Sequence, residues 1–189
     1  RPPRSTHCIS SAASDVYKRQ VWGRDPQRTA QLRDDLAKIH PKTEFSRAGD
    51  LADAVPLADV ILTATAAKDP VIDASWLRPG QHITSVGSDD ATKCEIDPQV
   101  MAQAKVFVDA RTSGEAFGSP RRAIAQGIIA ASDLTEIGTC LTQGTARDPG
   151  DITLACLSGL GIQDLTAVRH LWQKLQPAAQ LDLTGKAVT

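Results

Sequence analysis

From Val21 onward the chain alternates between two kinds of apolar spacing. Compact blocks dominated by apolar and small residues recur at Asp59 to Thr63, His82 to Val86, Val106 to Asp109 and Ile152 to Leu157. Blocks of this length, bounded by Gly, Pro, Asp or Ser, read as strands buried on both faces. Between them the spacing is helical. Pro26 opens a helix whose apolar side is Ala30, Leu32, Leu36, Ala37 and Ile39, and His40-Pro41 closes it. A short strand is expected over Thr43 to Phe45, then a brief helix capped by Asp50 and running through Val55. Asp73 to Leu77 predicts a helical turn, Asp97-Pro98 starts a helix through Ala104, and Ser119-Pro120 precedes one to about Gln126. Further helices are expected over Leu134 to Leu141 and, amphipathic, over Ile162 to Leu175. Alternation of this kind predicts an α/β fold with a doubly wound, mostly parallel sheet.

Residues 1–20 do not share the patterning. Ser10 to Gln20 matches one reading frame of a transposase adapter used for sequencing libraries, and Arg1 to Thr6 reads the same way from the flanking primer. The expectation is a non-native leader over 1–20, a natural basic N-terminus being the alternative. The domain proper then occupies 21–175, with a tail over 176–189 that has no clear period.

Composition narrows the class. The hydrophobic fraction of 41% and charged fraction of 23% are those of a soluble globular chain, and no apolar run approaches the roughly 20 residues that span a bilayer. The leader carries four basic residues and one acid, so the formal charge of −1 becomes −4 without it. A mildly acidic chain with no basic stripe argues against nucleic-acid or anionic-membrane partners and for a cytoplasmic protein. Cys94, Cys140 and Cys156 are widely spaced, so neither a disulfide framework nor a metal site is indicated, and all three read as buried small residues. Trp76 and Trp172 read as packing residues, and His40, His82 and His170 as structural or exposed.

In open α/β sheets ligands lie beyond the carboxyl ends of the strands. Four such places carry candidate chemistry. Gly23, Arg24 and Asp25 follow the Val21-Trp22 strand end, where Arg24 suits a ribose 2′-phosphate and Asp25 a free 2′-hydroxyl, so the reading leans to NADP with NAD open. Thr63, Ala64 and Thr65 are small and hydroxyl-bearing after a buried strand. Val86 and Gly87 lead into a loop with Asp89, Asp90, Lys93 and Glu95, where a carboxylate can shuttle protons beside a hydride transfer or simply be solvated. Ser158, Gly159 and Gly161 form a strand-to-helix turn that presents backbone N–H groups, with Asp164 just inside the helix.

Taken in order, Val21 to Pro26, Ala58 to Thr65, Leu77 to Ile83, Gly87-Ser88-Asp89 with Lys93 and Glu95, and Ser158 to Asp164 resemble the ornithine cyclodeaminase and mu-crystallin family. The resemblance implies a Rossmann-like domain holding NAD or NADP, joined to an N-terminal domain that makes a homodimer and supplies the groups for the substrate carboxylate. It implies proton transfer by Asp89 while a hydride passes between cofactor and a small amino or imino acid. Ornithine cyclisation to proline with loss of ammonia, or reduction of pyrroline-2-carboxylate to proline, is the expected reaction. An alanine dehydrogenase or ectoine-utilisation branch is a second reading, a mu-crystallin-like NADPH and small-ligand binder with little turnover a third, and a shikimate-dehydrogenase-like enzyme a fourth. Asp90-Ala91-Thr92 replaces the Pro-Gly pair frequent in cyclodeaminases, which points away from strict ornithine specificity.

With the family's strand order 3-2-1-4-5-6, a domain read from Val21 lacks the first strand and its Gly-rich turn, which belong at the centre of the sheet. The 189 residues alone are accordingly expected to bind dinucleotide weakly and to be inactive, with the tail over 176–189 returning to the N-terminal domain.

Overall fold

The computed structural model describes residues 17–175. The expected tail over 176–189 and most of the expected leader lie outside them. The described chain divides into two units at Leu57/Ala58.

The first unit is a parallel strand pair with a helix. Strand β1 (Tyr17–Val21) pairs with β2 (Thr43–Arg47), with Val21 opposite Arg47. The expected leader therefore contributes Tyr17 to Gln20 to a strand. Helix α1 (Pro26–Ile39) begins with proline in its first turn, where a missing N–H costs nothing, and Asp25 caps it by accepting from the N–H groups of Gln27 and Arg28. Its expected apolar side is not a buried one. Thr29 is the buried residue of α1, while Leu32 and Ile39 are exposed. Asp50 caps α2 (Leu51–Ala54) through the N–H of Ala52, and a 3-10 turn over Val55–Leu57 follows.

The second unit is built on five parallel strands in the order β3 (Val60–Thr63), β4 (His82–Ser85), β7 (Ile152–Cys156), β5 (Ala104–Val108), β6 (Thr135–Glu136). All four pairings are parallel, as the apolar blocks predict. The order corrects the expectation, because the last strand in sequence lies between β4 and β5. Burial gives the reason: Ile152, Thr153, Leu154 and Ala155 are all buried, the pattern of a strand covered on both faces in mid-sheet. Within this sheet β3 is an edge strand, with Val60 and Leu62 exposed.

Register aligns the core. Ile61, Ile83, Leu154 and Val106 lie side by side across the sheet and are all buried. One pleat further toward the carboxyl end, the same face carries Thr63, Ser85, Cys156 and Val108. That face becomes polar where the strands end.

Helices α3 (Arg111–Ala116), α4 (Gly118–Ala125), α5 (Ile137–Gln143) and α6 (Gly161–Leu175) complete the unit, with 3-10 turns at Ala74–Trp76, Pro98–Ala102 and Ala131–Asp133. Four expectations need correction. The helix expected from Leu134 starts at Ile137, because Thr135 and Glu136 pair with Phe107 and Val108. The Asp97-Pro98 helix is a 3-10 segment ending at Ala102, since β5 begins at Ala104. Trp172 is 59% exposed and lies on α6, whose apolar residues Ile162, Leu165, Val168 and Leu171 are exposed as well. Of the cysteines, Cys94 is buried, while Cys140 and Cys156 are partly accessible.

Candidate functional site

The carboxyl ends of β3, β4 and β7 are adjacent in the sheet, which brings Thr63 to Thr65, Val86-Gly87 and Ser158-Gly159 to one edge. Ser88 and Ser158 line one small recess there, about 10 Å³, together with Ser85 and Phe117. The β4 tip and the β7 tip therefore converge.

Glu95 joins the β3 and β4 tips. Its side chain is fully buried, and it is flanked in sequence by buried Cys94 and Ile96. Oε2 accepts from Thr63 Oγ1 (2.8 Å), Ser85 Oγ (2.7 Å) and the Gly87 N–H (2.9 Å), and Oε1 accepts from the Thr65 N–H. Burial pushes the Glu95 pKa up, but hydrogen bonds from Ser85, Thr65 and Gly87 outweigh it and hold the carboxyl below its ordinary range. The expectation that Glu95 is a loop carboxylate beside the ligand is thus corrected: it faces inward, beneath the edge. Gly87 is required by the same packing, because a Cβ there would overlap the Thr65 backbone and Glu95 Oε1.

The loop from Gly87 to Glu95 closes on itself. Besides the Gly87 N–H to Glu95 bond, the Glu95 N–H donates to Ser88 Oγ (3.1 Å). Asp90 is consumed inside the loop, where Oδ1 accepts from Thr92 N–H (2.7 Å), Thr92 Oγ1 (2.8 Å) and Lys93 N–H (3.0 Å). Those bonds from Thr92 lower its pKa to about 2. Asp89 projects differently. It is 57% exposed and its carboxylate pairs with Lys93 Nζ, which also lies 3.5 Å from Asp90. The hydrogen bond from Lys93 holds Asp89 below the usual carboxylate range, and Asp89 in turn raises Lys93. Helix α4 secures the loop from outside: the Gly118 N–H donates to the Asp90 carbonyl (3.2 Å) and Arg121 to that of Ala91 (3.3 Å).

The Ser158 turn has its own brace, which the sequence reading missed. Asp109, at the end of β5, accepts from the Ser158 N–H (2.9 Å) and the Gly159 N–H (2.7 Å) through Oδ2. The available signal was an acid one residue past a buried strand. The backbone donors of this turn are therefore held by protein rather than turned to solvent. Gly159 has φ +88°, the left-handed region glycine favours, and Gly161 begins α6. Asp164 is exposed in the first turn of that helix.

Gly23, Arg24 and Asp25 belong to the other unit. Asp25 is occupied as the α1 cap and lies 3.5 Å from Arg28, while Arg24 is exposed. Thr29 Oγ1 sits 2.7 Å from where a Cβ at Gly23 would stand, so this turn also needs glycine. His82, expected to be structural, shares hydrogen bonds with Thr153 (2.8 Å) and Thr84 (3.0 Å) at the opposite end of β4.

A parallel α/β sheet with its glycines, hydroxyls and one exposed acid gathered at the carboxyl edge defines a domain of the Rossmann-like class. The chain belongs to the ornithine cyclodeaminase/mu-crystallin family, whose model matches residues 4–178. It is 34% identical over 166 residues to an uncharacterized cyclodeaminase of Sinorhizobium fredii, covering 85% of this chain and 50% of that protein. It is 37% identical over 120 residues to the delta(1)-pyrroline-2-carboxylate reductase of Paracoccus denitrificans, covering 63% of this chain and 37% of the reductase. Among solved structures, the iminosuccinate reductase of Paracoccus denitrificans in complex with NAD+ superposes with a TM-score of 0.76 at 26% identity, covering 85% of this chain and 49% of that one. The chain thus spans about half the length of such relatives.

Proposed function

We propose that the protein carrying this chain is a cytoplasmic, NAD(P)-dependent enzyme that transfers a hydride to or from a small amino or cyclic imino acid, with reduction of pyrroline-2-carboxylate to proline the leading reaction. The observation that carries it is the exposed Asp89, set apart from Asp90 and paired with Lys93 at the edge where the β3, β4 and β7 tips meet. Family membership and the pyrroline-2-carboxylate and iminosuccinate reductases among the relatives support the reaction class. Cyclisation of ornithine with loss of ammonia is the alternative chemistry for the same groups.

The edge suits a dinucleotide in that Gly87 and Gly159 present no side chain at the β4 and β7 tips and Thr65 adds a hydroxyl beyond β3. When bound, the nicotinamide would supply or accept the hydride. Thr63, Thr65, Val86, Gly87, Ser158 and Gly159 would line its place, and the lean toward NADP over NAD rests on the sequence position of Arg24 after the Val21-Trp22 strand end. Asp89, ionised at neutral pH beside Lys93, accepts a proton from the substrate nitrogen in the oxidative direction and returns it in reduction. The active form is proposed to be a homodimer.

The test uses the longest polypeptide that contains this chain. Oxidation of NADPH and of NADH is followed with pyrroline-2-carboxylate, and proline formation is followed from ornithine. Turnover that falls at least a hundredfold in Asp89→Asn, with cofactor affinity kept, is the expected result. Tight cofactor binding without turnover on any amino or imino acid would defeat the enzyme reading in favour of a binding protein.

A further inference from the structure

Beneath the candidate edge lies a charged group that the proposed reaction does not use. Glu95 is fully buried, yet its hydrogen bonds favour the ionised form over the neutral one. A buried carboxylate is costly unless its oxygens are satisfied. Here all four donors come from the tips of two neighbouring strands: Thr63 and Thr65 from β3, Ser85 and Gly87 from β4. Two of those donors are backbone N–H groups, so the carboxylate fixes main chain as well as side chains.

We infer that Glu95 is a positioning residue for the cofactor edge, its buried carboxylate holding the Thr65 and Gly87 backbones together where the β3 and β4 ladder stops. The inference rests on the reading of this edge as a dinucleotide site.

Three observations meet in it. Adjacent parallel strands end at Thr63 and Ser85, which are direct partners in the ladder, and both hydroxyls donate to the same oxygen of Glu95. Beyond that pair one further ladder bond, from the Val86 N–H to the Thr63 carbonyl (2.9 Å), closes the pairing, and past it Gly87 lies so close to Thr65 that a Cβ there would overlap the Thr65 backbone. Glu95 takes up both backbone N–H groups just where the ladder stops. Its own backbone is anchored on the far side, where the Glu95 carbonyl accepts from the N–H groups of Val71 (2.8 Å) and Ile72 (3.2 Å). The carboxylate is thus delivered from a fixed segment rather than from a mobile loop. A glutamine has the same shape but must offer an NH2 group to donors already facing it, so it cannot satisfy all four.

The experiment compares wild type with Glu95→Gln in the longest polypeptide that carries the chain, 15N-labelled. The amide resonances of Thr65 and Gly87, carried downfield by a charged acceptor, are expected to move upfield in the variant, while the β5 and β7 amides keep their positions. NADH affinity, read by fluorescence titration, is expected to weaken at least tenfold while circular dichroism shows the variant still folded at the titration temperature. Unmoved Thr65 and Gly87 signals, or NADH affinity within twofold of wild type, overturns the inference. A wild-type protein that does not bind NADH instead refutes the dinucleotide reading itself. Should Glu95→Gln not fold, Ser85→Ala removes one donor while leaving the charge, and it is expected to weaken NADH binding at least threefold; unchanged affinity in that variant counts against the inference.

Discussion

Two residues, Gly87 and Glu95, carry most of the argument at the residue scale. Gly87→Ala places a methyl group against the Thr65 backbone, where no flexible side chain can yield. The expected loss is about 1–3 kcal/mol of stability by urea unfolding, the usual cost of overpacking. The charge of Glu95 sets a pH dependence whose sign follows from its lowered pKa. A folded-state value below the ordinary 4.5 means that ionisation favours the fold. That contribution is fully present above the unfolded-state value and is lost as pH falls through the folded one. The stability difference between wild type and Glu95→Gln should therefore be constant near neutrality and shrink below about pH 4. A difference that grows on acidification contradicts the assignment. The neighbouring acids teach the same lesson about reading loops. Asp89 and Asp90 are indistinguishable in composition, and only the bonds from Thr92 show that Asp90 belongs to its own turn.

At the scale of elements, the strands were legible wherever both faces are buried. The Ile152 block shows this most clearly, since four consecutive buried residues, Thr153 among them, leave a compact block of apolar and small residues in the sequence. Short elements were not. β6 has two residues, too few to show a period, and α3 has no apolar stripe because Gly114 packs against Val108 and Leu134 through its backbone. The position of β7 between β4 and β5 was equally hidden, being decided by which strands pair in space. Of the candidate site, Thr63, Thr65, Gly87 and Asp89 could be read because each follows a strand end closely. The roles of Glu95 and Asp109 could not, because their partners lie 8 to 50 residues away. The exposed edge of β3 yields its own prediction. Leu62 is 68% exposed on an edge strand, an arrangement that invites pairing between copies. Leu62→Lys should change stability by no more than about 0.5 kcal/mol and reduce self-association measured by sedimentation velocity. A large loss of stability would show that the side chain is covered in solution.

Across the whole molecule, burial is uneven. In the five-stranded unit the central strands β4, β7 and β5 carry an unbroken row of buried side chains, Ile83, Leu154 and Val106. In the first unit the buried residues are Thr29, Ala48 and Val55, a slender basis for cooperative protection. Amide hydrogen exchange should accordingly be slowest in β7 and fastest among the strands in β1 and β2. Equal protection of β1 and β7 would show that the first unit draws support from contacts beyond its own buried residues. The loop from Gly87 to Glu95 has a different consequence. Its two ends are fastened to each other at the neck, so the strand tips do not depend on what the intervening residues are. Such a loop is an exchangeable cassette: with Asp89 kept, Asp90 to Thr92 can be rewritten, and substrate preference altered, while the platform underneath stays as it is.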